Sequence, residues 1–237
     1  MDEDKEKKDS LDNFQEYIGI KFNDEEILKR AFTHRSYINE NRGSELKHNE
    51  RLEFLGDAVL ELVITDDLYE KFPSKPEGEL TALRAALVNT TSLHKVAESL
   101  SINKKLYLSK GESKDTGRAR EYILANAVEA LIGAIYLDQG YDTAKRFIDR
   151  FIFTRLEEVI KEKLWVDAKS YFQEKSQEIE SETPTYKVLE EKGPDHDKVF
   201  TSGVYLKDDL IATGDGQSKQ EAEQEAARMA LKKKGWE

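Results

Sequence analysis

The 237-residue chain contains no cysteine. Disulfide staples and thiolate metal centres are therefore excluded, and an intracellular, cytoplasmic setting is the expectation. Long apolar runs are missing too. The longest, Ala130 to Leu137, falls far short of the roughly 18 to 20 residues that a membrane-spanning helix needs. Met1 to Ser10 are nearly all charged and offer no apolar stretch of the kind a secretory signal carries. There is also no excess of basic residues. Against 37 Lys and Arg stand 48 Asp and Glu, for a formal net charge of −11. That balance argues against a general polyanion binder and leaves any nucleic-acid contact to local patches.

What the chain does have is helical periodicity. Charged residues make up 36% of it, but the signs are mixed and apolar residues recur at helical spacing, so a folded protein is expected. Leu11, Phe14 and Ile18 open such a pattern. Asn23 with Glu26 resembles a capping box before a helix holding Ile27, Leu28, Ala31 and Phe32. Further helices are predicted over Asn49–Lys71, Glu77–Val88, Thr91–Leu100, Arg120–Leu137 and Asp142–Lys163.

From Asp167 the period changes. A helix to about Glu180 precedes strands at Thr185–Glu191, Lys198–Leu206 and Asp209–Thr213, with turn signals at Gly193-Pro194 and Asp208; a last helix runs from Ser218 to about Lys234. The expected fold class is an all-α domain followed by a small α+β domain of α-β-β-β-α order. The expected division is a charged tail over 1–10, a helical domain over 11–163, a linker at 164–166 and the small domain over 167–237. That last domain holds 11 basic and 16 acidic residues and is itself acidic, at −5.

The segment Asn49-Glu50-Arg51-Leu52-Glu53-Phe54-Leu55-Gly56-Asp57 carries the most information. At about 100° per residue, Glu50, Glu53, Asp57 and Glu61 fall in one sector roughly 80° wide, with Leu52, Leu55, Val59, Leu62 and Val63 opposite. Phe54 and Ile64 flank the acidic sector, so the helix does not read as one lying fully in water. Like charges at helical spacing repel, so positive charge is expected among them. A second helix, Ile123 to Ile135, is almost wholly apolar, and its only polar residues, Asn126 and Glu129, share a face. An ionised glutamate in such surroundings is costly unless it is paired or bound to a metal. Oxygen-only ligands on two helices suit Mg²⁺ or Mn²⁺ and not zinc.

The run NERLEFLGD, Asn49 to Asp57, resembles the signature of the ribonuclease III family, and LANAVEALIGAIYLD, Leu124 to Asp138, resembles that family's second catalytic motif. DAKSYFQEKSQE, GPDHDKVF and GDGQSKQEAEQEAA resemble segments of a double-stranded-RNA-binding domain. The resemblance spans Leu11 to Lys234. It implies a homodimeric, Mg²⁺-dependent endonuclease (Mn²⁺ substituting) that hydrolyses double-stranded RNA, with neither membrane nor organic cofactor. Carried over residue by residue, Glu53, Asp57, Asn126 and Glu129 would hold metal, Asp57 and Glu129 would be the essential acids, and Glu50 would line the same valley.

Glu77 matches a further acidic position of the family and reads equally well as a surface carboxylate at a helix start. Phe54 matches an aromatic residue inserted across the dimer interface and reads equally well as core. His34 reads as a structural histidine at a helix end. In the small domain, Gln173, Glu174 and Gln177 would face one minor groove, Pro194 and His196 a second, and Ser218, Lys219 and Gln220 would begin a helix facing phosphates. The family usually has a second lysine where Gln220 stands. It also usually has aspartate where this chain has Asn126, which leaves three explanations: natural tolerance of the amide, an introduced inactivating change, or a protein reduced to binding RNA.

Overall fold

The computed structural model describes residues 11–193 and 198–236. The chain divides into two compact units, Met1–Trp165 and Val166–Glu237. The predicted turn residue Pro194, the candidate His196 and the charged segment 1–10 lie outside the described residues.

The first unit is helical: α1 (residues 11–18), α2 (Glu25–Ala31), α3 (Arg35–Glu40), α4 (Glu50–Lys71), α5 (Glu77–Val88), α6 (Thr90–Ser99), α7 (Arg118–Gln139), α8 (Tyr141–Phe151) and α9 (Leu156–Lys161). Helix α7 is apolar nearly all round, and the structure buries it accordingly: Ala127, Val128, Ala130, Leu131, Ile132, Ala134 and Ile135 are fully enclosed. Its packing partners include α4, α6, α2 and α8.

The α4–α7 crossing is unusually close because two glycines meet there. A Cβ on Gly56 would lie 1.7 Å from the Glu129 carbonyl oxygen, and one on Gly133 would lie 2.2 Å from that of Leu52. Neither position has room for a methyl group, so glycine at both lets the two backbones touch.

Loops fix the ends of these helices. Asn49 precedes α4, but its side chain makes no cap. Its buried carboxamide donates instead to the Ala31 carbonyl (3.1 Å) while its backbone N–H donates to Thr33 (2.9 Å), tying the start of α4 to the end of α2. Thr33 and Tyr107 form an isolated parallel bridge beside this point. The capping residue of α2 is Asp24, which accepts from the Glu26 N–H, and not the predicted Asn23. The Asn23 backbone donates to the Asp138 carboxylate at the end of α7 (2.9 Å).

The long helix predicted over Asp142–Lys163 is broken, with a short 3-10 turn at Phe153–Arg155 separating α8 from α9. The run Phe151-Ile152-Phe153-Thr154 is aromatic and β-branched and has weak helical preference, and the break lets Ile152, Leu156 and Val159 all reach the core.

The second unit contains α10 (Ala168–Glu180), β1 (Thr185–Lys192), β2 (Val199–Leu206), β3 (Asp209–Gly216) and α11 (Lys219–Lys234). The strands form an antiparallel sheet in the order β1-β2-β3. Both helices pack on one core of Phe172, Val204, Leu206 and the alanines of α11. Those alanines have a geometric purpose. A Cβ on Gly214 would sit 2.2 Å from the Ala226 nitrogen, and one on Gly216 would sit 2.4 Å from that of Ala222, so α11 rests directly on β3. Asp167 caps α10 and accepts from Gln224 of α11 (2.8 Å), joining the two helices.

Gly56→Ala should separate α4 from α7 and destabilise the first unit by about 3 kcal/mol or more, as overpacking against rigid backbone does. Urea unfolding of parent and variant measures this, and equal midpoints would refute the close-crossing account.

Candidate active site and nucleic-acid interface

Because α4 and α7 touch where Gly56 meets the Glu129 carbonyl and Gly133 meets that of Leu52, residues within a turn of this contact are forced together. Glu53 and Asp57 flank Gly56 on α4, and Asn126 and Glu129 lie on the facing stretch of α7. Glu129 is half-buried between the helices, and its carboxyl is pushed up to about 8, chiefly by burial and then by the charges of Asp57 and Glu53. The Glu53 carboxyl is also raised, by burial first and next by Glu50, with Asp57 adding; a hydrogen bond from the Asn126 amide works the other way. Four predicted residues are thus coupled in one place.

Glu50 sits at the exposed start of α4, where Arg35 (3.2 Å) and His48 (3.6 Å) approach its two oxygens. The Arg35 guanidinium is positive charge of the kind expected among the acids, but it serves the edge of the cluster and not its centre. Glu61 leaves the cluster altogether and pairs with Arg84 (3.6 Å). Glu77 is exposed in the first turn of α5, accepting from Thr81. His34 caps α3, its Nδ1 accepting from the Ser36 N–H, and burial pushes its imidazole below the usual range, which favours the neutral acceptor.

Among the described residues no group of three or more His, Asp or Glu side chains is arranged to hold a metal ion. The donor chemistry still suits a hard divalent ion. All donors are oxygens, burial and neighbouring acids raise the Glu53 and Glu129 carboxyls, and Mg²⁺ usually takes few protein ligands, leaving the rest to water and phosphate.

Phe54 is not core: it is 81% exposed. Leu62, expected on the buried side of α4, is exposed as well at 57%, and so is Tyr69 at 73%. With Ala58 and Thr65 these residues form one outward seam of α4 directly beside the acidic sector. The helical period places Leu62 on the buried side, and the resemblance singles out only Phe54 as an interface candidate, so the seam as a whole is not legible in the sequence.

In the small domain Gln173, Glu174 and Gln177 lie exposed on one face of α10. Ser218 is spent on capping α11, accepting from the Glu221 N–H (3.2 Å). Lys219 and Gln220 are exposed in the first turn, and the Lys219 ammonium lies 3.4 Å from the Glu191 carboxylate. Lys232 to Lys234 close the other end of α11, where Lys233 donates to the Ile211 carbonyl and Lys234 pairs with Glu180 (2.6 Å).

The raised carboxyl of Glu129 has a consequence for stability. The folded chain holds that proton more tightly than the unfolded one, so the contribution is fully present at or below about pH 4.5 and is lost as pH rises toward 8. Thermal melts of the metal-free protein should fall over that window, by about 5 °C or more, and Glu129→Gln should flatten the fall. Parallel curves for the two proteins would contradict the burial of this charge.

Comparison with known proteins gives the family of both units. A family model described as ribonuclease-III-like matches residues 24–156, and one for the double-stranded RNA binding motif matches residues 168–234. The chain is 47% identical to "Ribonuclease 3" of Desulforamulus reducens over 90% of its own length and 87% of that protein, and 48% identical to "Ribonuclease 3" of Carboxydothermus hydrogenoformans over 94% and 95%. The nuclease domain of ribonuclease III from Campylobacter jejuni, described for flexibility in its region of dimer formation, superposes with a TM-score of 0.54 at 40% identity, covering 60% of this chain and 94% of that one. The α4–α7 crossing, the small sheet domain and this similarity over nearly the whole length agree: the chain belongs to the ribonuclease III family.

Proposed function

We propose that the protein hydrolyses both strands of double-stranded RNA as a homodimer, using Mg²⁺ or in its place Mn²⁺. The products would be 5′-phosphate and 3′-hydroxyl ends with short 3′ overhangs. Its substrates would be ribosomal, messenger and transfer RNA precursors with duplex segments, processed in the cytoplasm. The observation that carries this reading is the raised carboxyls of Glu129 and Glu53, each burdened by burial and by neighbouring acids, beside the glycine contact in a chain of this family.

Bound divalent ions there would lower the pKa of a water and offset charge developing on phosphorus and the leaving oxygen. Glu53, Asp57, Glu129 and the Asn126 carbonyl oxygen are the groups that would hold them. Asp57, the most exposed of the three carboxylates, would accept a hydrogen bond from the attacking water and so orient it. Glu129 would supply a second carboxylate to the ions, and a bound ion would favour the ionised form that burial and the neighbouring acids oppose in the metal-free chain. Glu50, steadied by Arg35 and His48, lines the edge where substrate would enter.

The seam of Phe54, Leu62 and Tyr69 supports the homodimer. These large side chains are too apolar to favour water, and the seam borders the acidic sector, so a second copy docked on it would frame a cleft around the carboxylates. In the small domain, exposed polar side chains on α10 and the start of α11 suit duplex RNA, whose shallow minor groove and phosphates are read by shape.

The non-catalytic reading that Asn126 raises is not favoured. An amide keeps an oxygen donor, and a pure binding protein would retain the carboxylate repulsion to no purpose. Cleavage of a long RNA duplex across a Mg²⁺ titration tests the proposal. Glu129→Gln should slow cleavage by about 10²- to 10⁴-fold while duplex binding in the absence of metal stays intact. Asn126→Asp should lower the half-saturating Mg²⁺ concentration, because hard cations reward ligand charge. Near-parental turnover of the first variant would displace the site, and an unchanged half-saturation of the second would remove residue 126 from the ligand set.

A further inference from the structure

We infer that Glu191 is a built-in competitor for RNA phosphate, which limits how tightly the small domain holds a duplex. This rests on the reading of the start of α11 as a phosphate-binding element. Glu191 lies near the end of β1, paired in register with Phe200 of β2, and Phe200 pairs in turn with Gly216 at the end of β3. That register brings Glu191, the residue before β2 and the first residue of α11 to one end of the sheet. One carboxylate then serves two lysines: Oε1 is 3.4 Å from the Lys219 Nζ, and Oε2 is 3.7 Å from the Lys198 Nζ. The Lys219 ammonium also stands over the Phe200 ring, 5.7 Å from its centre, so it is held on both sides.

Two ammonium groups that share the two oxygens of one carboxylate can instead share the oxygens of one phosphate. RNA can take both lysines only by displacing Glu191. The displaced carboxylate then remains beside the incoming phosphate as a like charge. The chain has little basic surplus to overcome this, since Gln220 stands next to Lys219 and the domain as a whole is acidic. All three side chains are at least partly open to solvent, so the competition is screened by salt and strongest when salt is low.

The test is duplex binding by the full chain in Ca²⁺ or without metal, measured from about 50 to 300 mM salt. Glu191→Gln should raise affinity about five- to tenfold at the lowest salt, with the gain shrinking as salt rises and the slope of log affinity against log salt steepening by about one. Glu191→Asp should behave like the parent. In the Lys198→Ala/Lys219→Ala background, Glu191→Gln should give much less, because the competition needs the lysines. If Lys219→Ala weakens binding but Glu191→Gln leaves affinity and slope unchanged, or lowers them, the competitor role is overturned while the RNA-binding surface stands. If neither lysine matters to binding, the surface itself is misassigned and the inference goes with it.

Discussion

Everything in the helical unit depends on one contact, the passage of α4 over α7 at Gly56 and Gly133. With a Cβ at either glycine blocked by the opposing backbone, the helices have no freedom to drift apart or closer without breaking the packing of Leu60, Val63, Ile64, Leu131 and Ile135 around them. Close approach also fixes the chemistry. Residues within a turn of a backbone contact cannot be far apart, so Glu53, Asp57, Asn126 and Glu129 meet as a geometric consequence of two missing side chains. Packing and function therefore share one origin.

That meeting is unfavourable by itself. Burial and repulsion both oppose the ionised form of Glu129, and the fold tolerates it because the surrounding core is extensive. Asn126 eases the strain. Its amide donates a hydrogen bond to Glu53, which an ionised aspartate could not do, so without a cation the site is less repulsive than a four-carboxylate version would be. The same amide offers a bound cation only a dipole. The residue thus shifts the balance between a stable empty site and a strongly attracting one.

Much of this was legible in the sequence, for identifiable reasons. Helical and strand periods gave the element order because each element buries one face. The acidic sector of α4 and the lone polar pair of α7 stood out because carboxylates among apolar residues need an explanation. What escaped notice depends on contacts distant in sequence. The roles of Gly56 and Gly133 require knowing which helices cross, although glycine inside two apolar helices was a usable signal. Asn49 looks like a cap and is a tie to the Ala31 carbonyl. Leu62 looks like core and is exposed, because the helical period shows which residues share a face and not what covers that face. The break at Phe153–Arg155 was hidden by the continuity of the helical period across it.

The small domain presents a different problem, how an acidic surface receives a polyanion. Its lysines are largely committed within the domain already: Lys169 to Glu223, Lys175 to Glu178, Lys192 to Glu190, Lys207 to Glu182, Lys234 to Glu180, and Lys198 and Lys219 together to Glu191. Binding RNA is then an exchange of carboxylate partners for phosphate partners, and each exchange taken singly gains little, since exposed ion pairs contribute about 0–1 kcal/mol. A ligand gains from several exchanges at once only if its phosphates match the spacing of the lysines. A regular duplex does so repeatedly, whereas a flexible strand must first be ordered to match. Near-cancellation of the individual terms is therefore what turns a general attraction between charges into a preference for the shape of the double helix.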